Sequence, residues 1–299
     1  MSKNTKIKGT GVAIVTPFHK NKEVDFTSLS KVVSHVLDGN TDFVVALGTT
    51  SESVTLSNQE AFAVLEHTLD CVEERVPVVV GVSGNCTTEV ISKVRMLKDI
   101  AEDRFSAVLV STPYYNKPTQ QGLYEHFKVV ANALPTPIIL YNIPGRTGVN
   151  LNAETCLRLA EENKNIIGLK EASGNMAQCM EILRNKKADF AVFSGDDALT
   201  MPLMSLGMSG VISVTANAFP QLVSQMVNYC LKGDYKQARK IHEMLLPFSN
   251  AIFEEGNPAG IKTALEILGL LQNNLRLPLV KGSRGLYNKI TEIIKKLNK

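Results

Sequence analysis

Eight short apolar runs recur along this chain, and a longer stretch with helical spacing follows each of them. Apolar runs without polar alternation are typical of strands that are covered on both faces, as in parallel sheets. Successive runs begin roughly 20 to 35 residues apart, which leaves room for the crossover helix that a parallel connection requires. The predicted strands are Val12–Thr16, Phe43–Leu47, Val78–Gly81, Ala107–Ser111, Ile138–Asn142, Ile166–Lys170, Ala191–Ser194 and Val211–Val214.

Eight such units in a chain of 299 residues predict an α/β fold, a closed (β/α)₈ barrel with an appended C-terminal helical region. A doubly wound open sheet is the alternative, but it usually has fewer strands and a recognisable nucleotide-binding loop. Neither G-x-G-x-x-G after a strand nor a P-loop occurs here. Apolar residues at helical spacing from Phe26 to Leu37 predict the first barrel helix, and Ser57 with Glu60 predicts a capping box that opens the second.

The last part of the chain is expected to be helical and to belong to the barrel domain. The eighth unit should end with a helix near Asn217–Leu231. Because no linker-like stretch follows, we assign residues 1–232 to the barrel and residues 233–299 to helices packed on it within the same domain. These helices are predicted at Tyr235–Phe253, Pro258–Leu271 and Ser283–Leu297.

Composition argues against several functional classes. The hydrophobic content of 44%, the charged content of 20% and the net charge of +3 are ordinary for a globular protein and do not predict nucleic acid as a partner. No apolar run approaches the ~18 residues that span a bilayer, and Met1–Phe18 lacks the pattern of a signal peptide. The five cysteines form no C-x-x-C pair, which favours reduced thiols in a cytoplasmic protein.

A metal site is not expected, because the five histidines show no ligand spacing. Asp196 and Asp197 form the best carboxylate pair, but adjacent residues rarely converge on one ion. Capping of the next helix is therefore the simpler interpretation of both. No arrangement of Ser, His and Asp for nucleophilic catalysis is apparent.

Polar side chains follow several of the predicted strands, at the end of the barrel where active sites form. Hydroxyls, phenols, one lysine and one arginine are therefore expected to converge on one face. The segments are Gly48–Ser53, Thr112–Asn116, Tyr141–Gly148, Lys170–Glu171 and Gly195–Asp197.

Lys170 is the strongest catalytic candidate because it ends an otherwise apolar strand. Strand alternation places it on the side of Gly168, opposite Ile167 and Leu169. If this apolar pair faces the helices, Lys170 points into the barrel, where Gly168 leaves space beside it. An apolar setting favours the neutral amine that Schiff-base formation requires. The alternative is a strand-end lysine that reaches solvent or pairs with Glu171, and the residue alone does not separate the two.

Five more residues have both a functional and a structural interpretation. The phenols of Tyr141 and Tyr115 could transfer protons, or could be half-buried with satisfied hydroxyls. Thr49 and Thr50 could hold a carboxylate, or could belong to a turn before the second helix. Arg146, flanked by glycines, could bind a carboxylate through two hydrogen bonds, or could be a solvated loop residue.

Taken in order, these motifs resemble those of the dihydrodipicolinate synthase and N-acetylneuraminate lyase family of pyruvate aldolases. The resemblance extends from Gly11–Pro17 to Gly210–Asn217 and includes Gly168–Ala172 around the lysine. It implies a barrel fold and a class I mechanism that needs neither a metal nor an organic cofactor. It also implies a homotetramer built as a dimer of dimers.

The resemblance also implies residue roles. Lys170 is expected to condense with the ketone of pyruvate, and the iminium then loses a proton to become the enamine that attacks an aldehyde. Thr49, Tyr141 and Tyr115 correspond to the family's proton relay, with Tyr115 supplied by a neighbouring subunit across a dimer interface. The residues expected to hold or line the pyruvate are Thr50, Gly195 and Ile212.

Arg146 directs the choice of second substrate within the family. It matches the synthases, in which this arginine engages the carboxylate of L-aspartate 4-semialdehyde, in the lysine and diaminopimelate pathway. A lyase or aldolase acting on N-acetylneuraminate or a 2-keto-3-deoxy sugar acid is the nearest alternative, and a polyol offers no carboxylate at that place. A non-catalytic barrel that binds or regulates is the alternative of another class, but a pure binder has no need of a nucleophilic lysine.

Two departures from the family pattern carry expectations of their own. Ser51 stands where the family often has Gly, and it is strained if the turn needs a positive φ there. Asn58 and Ala61 replace histidines that lysine-sensitive members tend to carry, so we expect weak or absent inhibition by lysine. The residues that do match a lysine-binding site are Ser53, Asn85, Glu89 and Tyr114.

Overall fold

In the computed structural model, which describes residues 7–101 and 104–297, eight parallel strands close into a barrel in chain order. The first strand pairs with the eighth, so the sheet has no free edge. The predicted (β/α)₈ barrel is confirmed. The strands are β1 (Gly9–Ala13), β2 (Phe43–Ala46), β3 (Val78–Val82), β4 (Ala107–Ser111), β5 (Ile138–Asn142), β6 (Ile166–Glu171), β7 (Ala191–Ser194) and β8 (Gly210–Ser213).

Helices cover the outside of the barrel and continue beyond its last strand. The predicted capping box is present, since the Glu60 N–H donates to the Ser57 hydroxyl at 3.2 Å and the Ser57 N–H donates to the Glu60 carboxylate at 2.9 Å. The described helices are α1 (Phe26–Asp38), α2 (Asn58–Val72), α3 (Thr87–Ile100), α4 (Gln120–Ala133), α5 (Pro144–Thr147), α6 (Ala153–Glu162), α7 (Met176–Asn185), α8 (Thr200–Ser205), α9 (Pro220–Leu231), α10 (Tyr235–Ala251), α11 (Ala259–Ile267) and α12 (Arg284–Leu297).

Strand β1 begins earlier than the apolar pattern predicted, at Gly9 rather than at Val12. Two of its first three residues are the glycines Gly9 and Gly11, where the packing leaves no room for a side chain. A Cβ atom on Gly11 would lie 2.2 Å from the Phe43 ring, and one on Gly210 would lie 1.9 Å from the Gly9 carbonyl oxygen. Hydrophobicity alone therefore missed this end of the strand.

Two apolar layers lie on the two faces of the sheet. The larger layer fills the space between strands and helices, and the smaller one fills the inside of the barrel. Phe43 and Phe193 meet inside the barrel with their ring centroids 5.4 Å apart in an edge-on arrangement. The interior is therefore a packed core that closes the barrel below the active end.

Strand β6 contains an irregularity that the alternation argument did not foresee. Ile138 pairs with Ile166, but Ile139 pairs with Gly168, so one extra residue is accommodated at Ile167. As a result Ile167 packs against the interior cluster, whereas Leu169 faces the helices. The expectation that Ile167 faces outward is wrong, because the bulge shifts the parity of the strand.

The three C-terminal helices share the outer core of the barrel. Leu245 and Phe248 of α10, Leu265 of α11 and Ile290 of α12 all belong to the same buried cluster as the strands. Helices α10 and α11 end before the predicted Phe253 and Leu271.

Residues 1–6, 102, 103, 298 and 299 of the two assigned ranges lie outside the described part of the chain. None of the described helices combines the length and apolar character that crossing a bilayer requires.

Candidate active site

Several predicted site residues meet in one small cavity at the carboxyl ends of the strands. It has a volume of about 40 Å³, against about 650 Å³ for the space outside it, so it excludes all but a small reactant. Thr49, Thr50, Tyr141, Lys170 and Gly195 all line it. The remaining lining residues are Ala13, Val45, Gly48, Leu109, Ile143, Arg146, Val214, Phe253 and Asn257.

Lys170 and Tyr141 form the centre of this cavity. They are direct partners across β5 and β6, and the Lys170 Nζ atom lies 4.4 Å from the centroid of the Tyr141 ring. Both side chains are only 6% exposed. The ring face can stabilise a positive charge on the nitrogen, whether ammonium or iminium. The amine can therefore react only with a molecule that enters the cavity.

The space beside Lys170 comes from Gly195 rather than from Gly168. A Cβ atom on Gly195 would lie 3.0 Å from the Lys170 Cε atom and 2.6 Å from the Ala172 Cβ atom. A Cβ atom on Gly168 would instead approach the carbonyl oxygen of Ala191, on the neighbouring strand, to 2.6 Å. Gly195 thus leaves room for the lysine side chain, and Gly168 permits close approach of β6 and β7.

A buried carboxylate holds the end of β6 from the other face. Glu171 is 1% exposed and accepts hydrogen bonds from Asn142 Nδ2 at 3.0 Å, from Gln178 Nε2 at 3.1 Å and from the Ser173 N–H at 2.7 Å. Glu171 thus joins β5, β6 and α7. It does not pair with Lys170, which was one alternative from the sequence, but it fixes the backbone from which Lys170 projects.

The turn after β2 presents Thr49 and Thr50 to the cavity. Thr50 is 2% exposed, and Thr49–Ser51 form a single 3₁₀ turn. Ser51 is not among the residues with positive φ, so the strain considered for it is absent. Its hydroxyl donates to the carbonyl oxygen of Ile14 at 2.6 Å, and the left-handed conformation falls on Glu52, with φ 54°.

Asn257 is a site residue that the sequence analysis missed. Its Nδ2 donates to the Thr50 hydroxyl at 3.0 Å, and its backbone carbonyl accepts from the Arg146 guanidinium at 3.2 Å. Its Oδ1 atom is buried without a hydrogen-bond partner although the side chain lines the cavity. No local pattern could have found it, because it lies on the segment before α11, far along the chain from Thr50 and Arg146.

A larger vestibule of about 650 Å³ lies outside the small cavity. Arg146, Phe253, Ile143 and Gly195 line both spaces, so they form the boundary between them. Arg146 lies on α5 and is exposed, with its guanidinium tethered by the Asn257 carbonyl. The vestibule can therefore admit a second, charged reactant next to whatever molecule occupies the inner cavity.

Asp196 and Asp197 follow β7 and have different roles, although capping was the simpler interpretation of both. Asp196 accepts two backbone N–H groups of the following turn, as predicted for a cap. Asp197 does not cap, because it accepts the N–H groups of Val214 at 2.8 Å and Thr215 at 3.2 Å together with the Ser213 hydroxyl. Burial raises the pKa of Asp197 above its ordinary value, and these donors oppose that effect.

Ile212 and Tyr115 lie outside the group that lines the small cavity. Ile212 packs in the barrel interior, and Val214 is the residue of that segment that lines the cavity. Tyr115 is 87% exposed, with φ 72°, in the loop after β4. Its phenol is thus presented to the outside of this chain rather than to its own cavity.

The four residues matched to a lysine-binding site come from three consecutive strand ends. Ser53 follows β2, Asn85 and Glu89 follow β3, and Tyr114 follows β4. The Asn116 side chain donates to the Asn85 carbonyl at 3.1 Å and links two of these loops. Among the described residues, no group of three His, Cys, Asp or Glu side chains is arranged to hold a metal ion.

Comparisons with known proteins match this chain over nearly its whole length. A family model described as the dihydrodipicolinate synthetase family matches residues 6–297. A 4-hydroxy-tetrahydrodipicolinate synthase of Parabacteroides distasonis is 48% identical over 98% of this chain and 97% of its own. The crystal structure of a chloride-inhibited dihydrodipicolinate synthase from Acinetobacter baumannii, complexed with pyruvate, superposes with a TM-score of 0.94 at 39% identity, covering 98% of this chain and 99% of that one. A monomeric dihydrodipicolinate synthase variant superposes with a TM-score of 0.95 at 37% identity, covering 98% of each chain.

Proposed function

The chain belongs to the dihydrodipicolinate synthetase family, and we propose that it condenses pyruvate with L-aspartate 4-semialdehyde to 4-hydroxy-tetrahydrodipicolinate. The buried Lys170 at the end of β6, in contact with Tyr141, is the observation that carries this proposal. The product belongs to lysine and diaminopimelate biosynthesis. The enzyme is a lyase of the class I aldolase type.

The first half of the reaction takes place in the small cavity. The Lys170 amine attacks the ketone carbon of pyruvate, and the carbinolamine loses water to give an iminium ion. Thr50 and the backbone of its turn hold the pyruvate carboxylate, and Gly195 leaves room for the adduct. The iminium then loses a proton from the methyl carbon, so that its nitrogen receives the electron pair and an enamine forms.

Proton transfer is assigned to Tyr141 and Thr49, which both line the cavity. A phenol whose ring lies against the lysine nitrogen can deliver a proton to the departing water and accept one later. Tyr115 completes the relay from a neighbouring copy of the chain. Its exposed fraction of 87% supports that assignment, because an exposed phenol is available to a partner.

The second half of the reaction uses the vestibule. The enamine carbon attacks the aldehyde carbon of L-aspartate 4-semialdehyde, whose carboxylate Arg146 binds through two hydrogen bonds. The amine of this substrate then closes the ring and displaces Lys170. A sugar-derived aldehyde has no carboxylate for Arg146, so the synthase reaction uses this residue better than the lyase reaction does.

We also propose a homotetramer assembled as a dimer of dimers, in which Tyr115 crosses the tighter interface. Val54, 79% exposed, supplies apolar surface at a neighbouring strand end and supports such an interface. Sedimentation of the purified protein measures the assembly directly, and a stable monomer with full activity would contradict the role of Tyr115.

All five cysteines are free thiols, which supports a reducing, cytoplasmic location.

The function is tested in two steps. Treatment with pyruvate and borohydride should leave a reduced adduct on the peptide that contains Lys170, and Lys170→Ala should abolish it. Initial rates with L-aspartate 4-semialdehyde, N-acetylmannosamine and glyceraldehyde then identify the second substrate. Adduct formation with a preference for either sugar-like aldehyde would keep the mechanism and overturn the substrate. Absence of any adduct on the wild-type protein would overturn both.

A further inference from the structure

A buried pair of opposite charges lies directly beyond the Thr49–Thr50 turn, and the mechanism above makes no use of it. Glu52 is 2% exposed and Lys262, on α11, is fully buried. The Lys262 ammonium donates to the Glu52 carboxylate, so the ion pair joins the turn after β2 to the C-terminal helices. These two residues are 210 positions apart in the chain.

The surroundings of Lys262 hold its ammonium in one place. Besides Glu52, it donates to the carbonyl oxygen of Asn274 at 2.9 Å and lies 4.2 Å from the centroid of the Phe18 ring. Burial lowers the pKa of Lys262 to about 8, and the Glu52 carboxylate opposes this shift. Glu52 therefore favours the charged ammonium at a place where burial disfavours it.

The second oxygen of Glu52 is also occupied. It accepts the backbone N–H of Arg276 at 3.0 Å, while the Arg276 guanidinium binds the Glu60 carboxylate and the carbonyl oxygen of Thr55. Glu52 itself has the left-handed φ of 54°, which is uncommon for a residue other than glycine. Its carboxylate thus anchors a turn with an uncommon backbone conformation.

Stability by itself is a poor reason for such a pair. Replacing a buried ion pair by apolar residues of similar volume is often neutral or stabilising, because both charges lose their hydration. What the pair can supply is a unique geometry, since each ionic hydrogen bond fixes a direction and a length. Here the pair can fix the position of Thr50, which lies two residues before Glu52.

The same C-terminal segment contacts the turn at a second point. Asn257 donates to the Thr50 hydroxyl at 3.0 Å, and Lys262 follows it within the first turns of α11. The segment therefore holds the turn on both sides of Ser51. A displacement of α11 would move Thr49 and Thr50 relative to Lys170, which projects from a different strand.

We propose that Glu52 and Lys262 are positioning residues for the reaction: their ion pair sets the Thr49–Thr50 turn that receives pyruvate. The C-terminal helices are thus part of the catalytic apparatus. This inference rests on the proposed function. It assigns the pair to the pyruvate half of the reaction. Substitution of either residue should therefore change kcat and the Michaelis constant for pyruvate. The Michaelis constant for the aldehyde should not change.

Two single substitutions separate positioning from charge balance. Glu52→Asp keeps the charge but shortens the side chain by one methylene, which pulls or releases the turn. Glu52→Gln keeps the length but leaves Lys262 without a counter-charge. If the pair positions the turn, both variants lose kcat/KM for pyruvate, by about 100-fold in Glu52→Asp, which displaces the turn, and by about tenfold in Glu52→Gln, which keeps the length but loses the ionic bond. Thermal unfolding should rank them in the opposite order, with Glu52→Gln the less stable.

A double variant and a control complete the test. Glu52→Leu with Lys262→Met replaces the pair by apolar side chains, so it should fold and still show the kinetic loss; it answers the question if Glu52→Asp does not fold. Glu60→Gln, which removes the charge from the outer pair with Arg276 but keeps an oxygen that can accept the Ser57 N–H, should lower the melting temperature and leave every kinetic constant unchanged. Wild-type values of kcat and KM for pyruvate in Glu52→Asp or in the double variant would overturn the inference. Failure of the wild type to form a borohydride-stable adduct would instead overturn the proposed function.

Discussion

The Nζ atom of Lys170 lies over the face of the Tyr141 ring, 4.4 Å from its centroid, and the two residues are direct partners on neighbouring strands. Because both project from a hydrogen-bonded sheet, their separation depends on strand register rather than on a loop. The ring can stabilise the cationic nitrogen while its hydroxyl transfers protons. These two functions of one side chain can be separated by substitution.

Tyr141→Phe keeps the ring and removes only the hydroxyl. We expect kcat to fall by about 10²- to 10⁴-fold, the usual contribution of a positioned acid or base. The melting temperature should change little, and the pyruvate adduct on Lys170 should still form, although more slowly. Steady-state rates and borohydride trapping measure the two effects. A variant with wild-type kcat would remove Tyr141 from the proton relay.

Gly195→Ala tests the space beside the lysine. The added methyl would lie 2.6 Å from the Ala172 Cβ atom and 3.0 Å from the Lys170 Cε atom, so Ala172 must shift and the lysine side chain must give way. Misplacement of a reacting group can cost up to about 100-fold in rate. We expect slower adduct formation with pyruvate in a protein that still folds. Gly145→Ala is a matched control, because a Cβ atom there meets no atom within 4 Å.

Arg146→Leu should separate the two substrates. Loss of a charged, two-point hydrogen bond is expected to raise KM for L-aspartate 4-semialdehyde by about 100-fold, equivalent to ~3 kcal/mol. Adduct formation with pyruvate should be unaffected, because Arg146 lies at the boundary of the inner cavity. An equal loss of rate in the pyruvate half-reaction would contradict the assignment of Arg146 to the second substrate.

His126 should make the fold sensitive to mild acid. It is buried on α4, its Nδ1 atom bonds the Thr87 hydroxyl, and its Nε2 atom has no partner. Burial lowers its pKa from 6.5 to about 4. Between these values the unfolded chain binds a proton that the folded chain does not, so stability falls as pH drops from 6.5 to 4, by up to ~3 kcal/mol.

The variant His126→Gln should lack that component of the pH dependence. Denaturant unfolding at pH 7 and at pH 4.5 measures the free energy of unfolding in both proteins. The difference between the two pH values should be smaller in the variant. Identical differences in the two proteins would show that His126 is protonated within the fold.

Lysine should inhibit this enzyme weakly or not at all. Asn58 opens α2, and Ala61 is 2% exposed with no polar side chain to offer a ligand. Rates measured across a lysine titration test this expectation, and Asn58→His is the variant expected to gain sensitivity. Strong inhibition of the wild type at low lysine concentrations would contradict it.

Local sequence patterns were sufficient to predict the architecture. Eight apolar runs with helical intervals predict a parallel barrel, because strands covered on both faces carry no polar alternation. They also predicted Lys170 at the carboxyl end of its strand, which runs one residue further to Glu171, and the polar segments that follow the other strands. Periodicity and strand ends are local properties, so they can be read without knowing which elements touch.

The residues that complete the site are selected by long-range packing. Asn257 and Lys262 lie beyond the last strand in a helical region, where nothing in their neighbourhood marks them as partners of Thr50 and Glu52. The bulge at Ile167 and the space at Gly195 likewise depend on how adjacent strands pack. These contacts join residues more than 200 positions apart in the chain. They depend on the closure of the barrel and the docking of the last helices, so the local periodicity of the sequence cannot predict them.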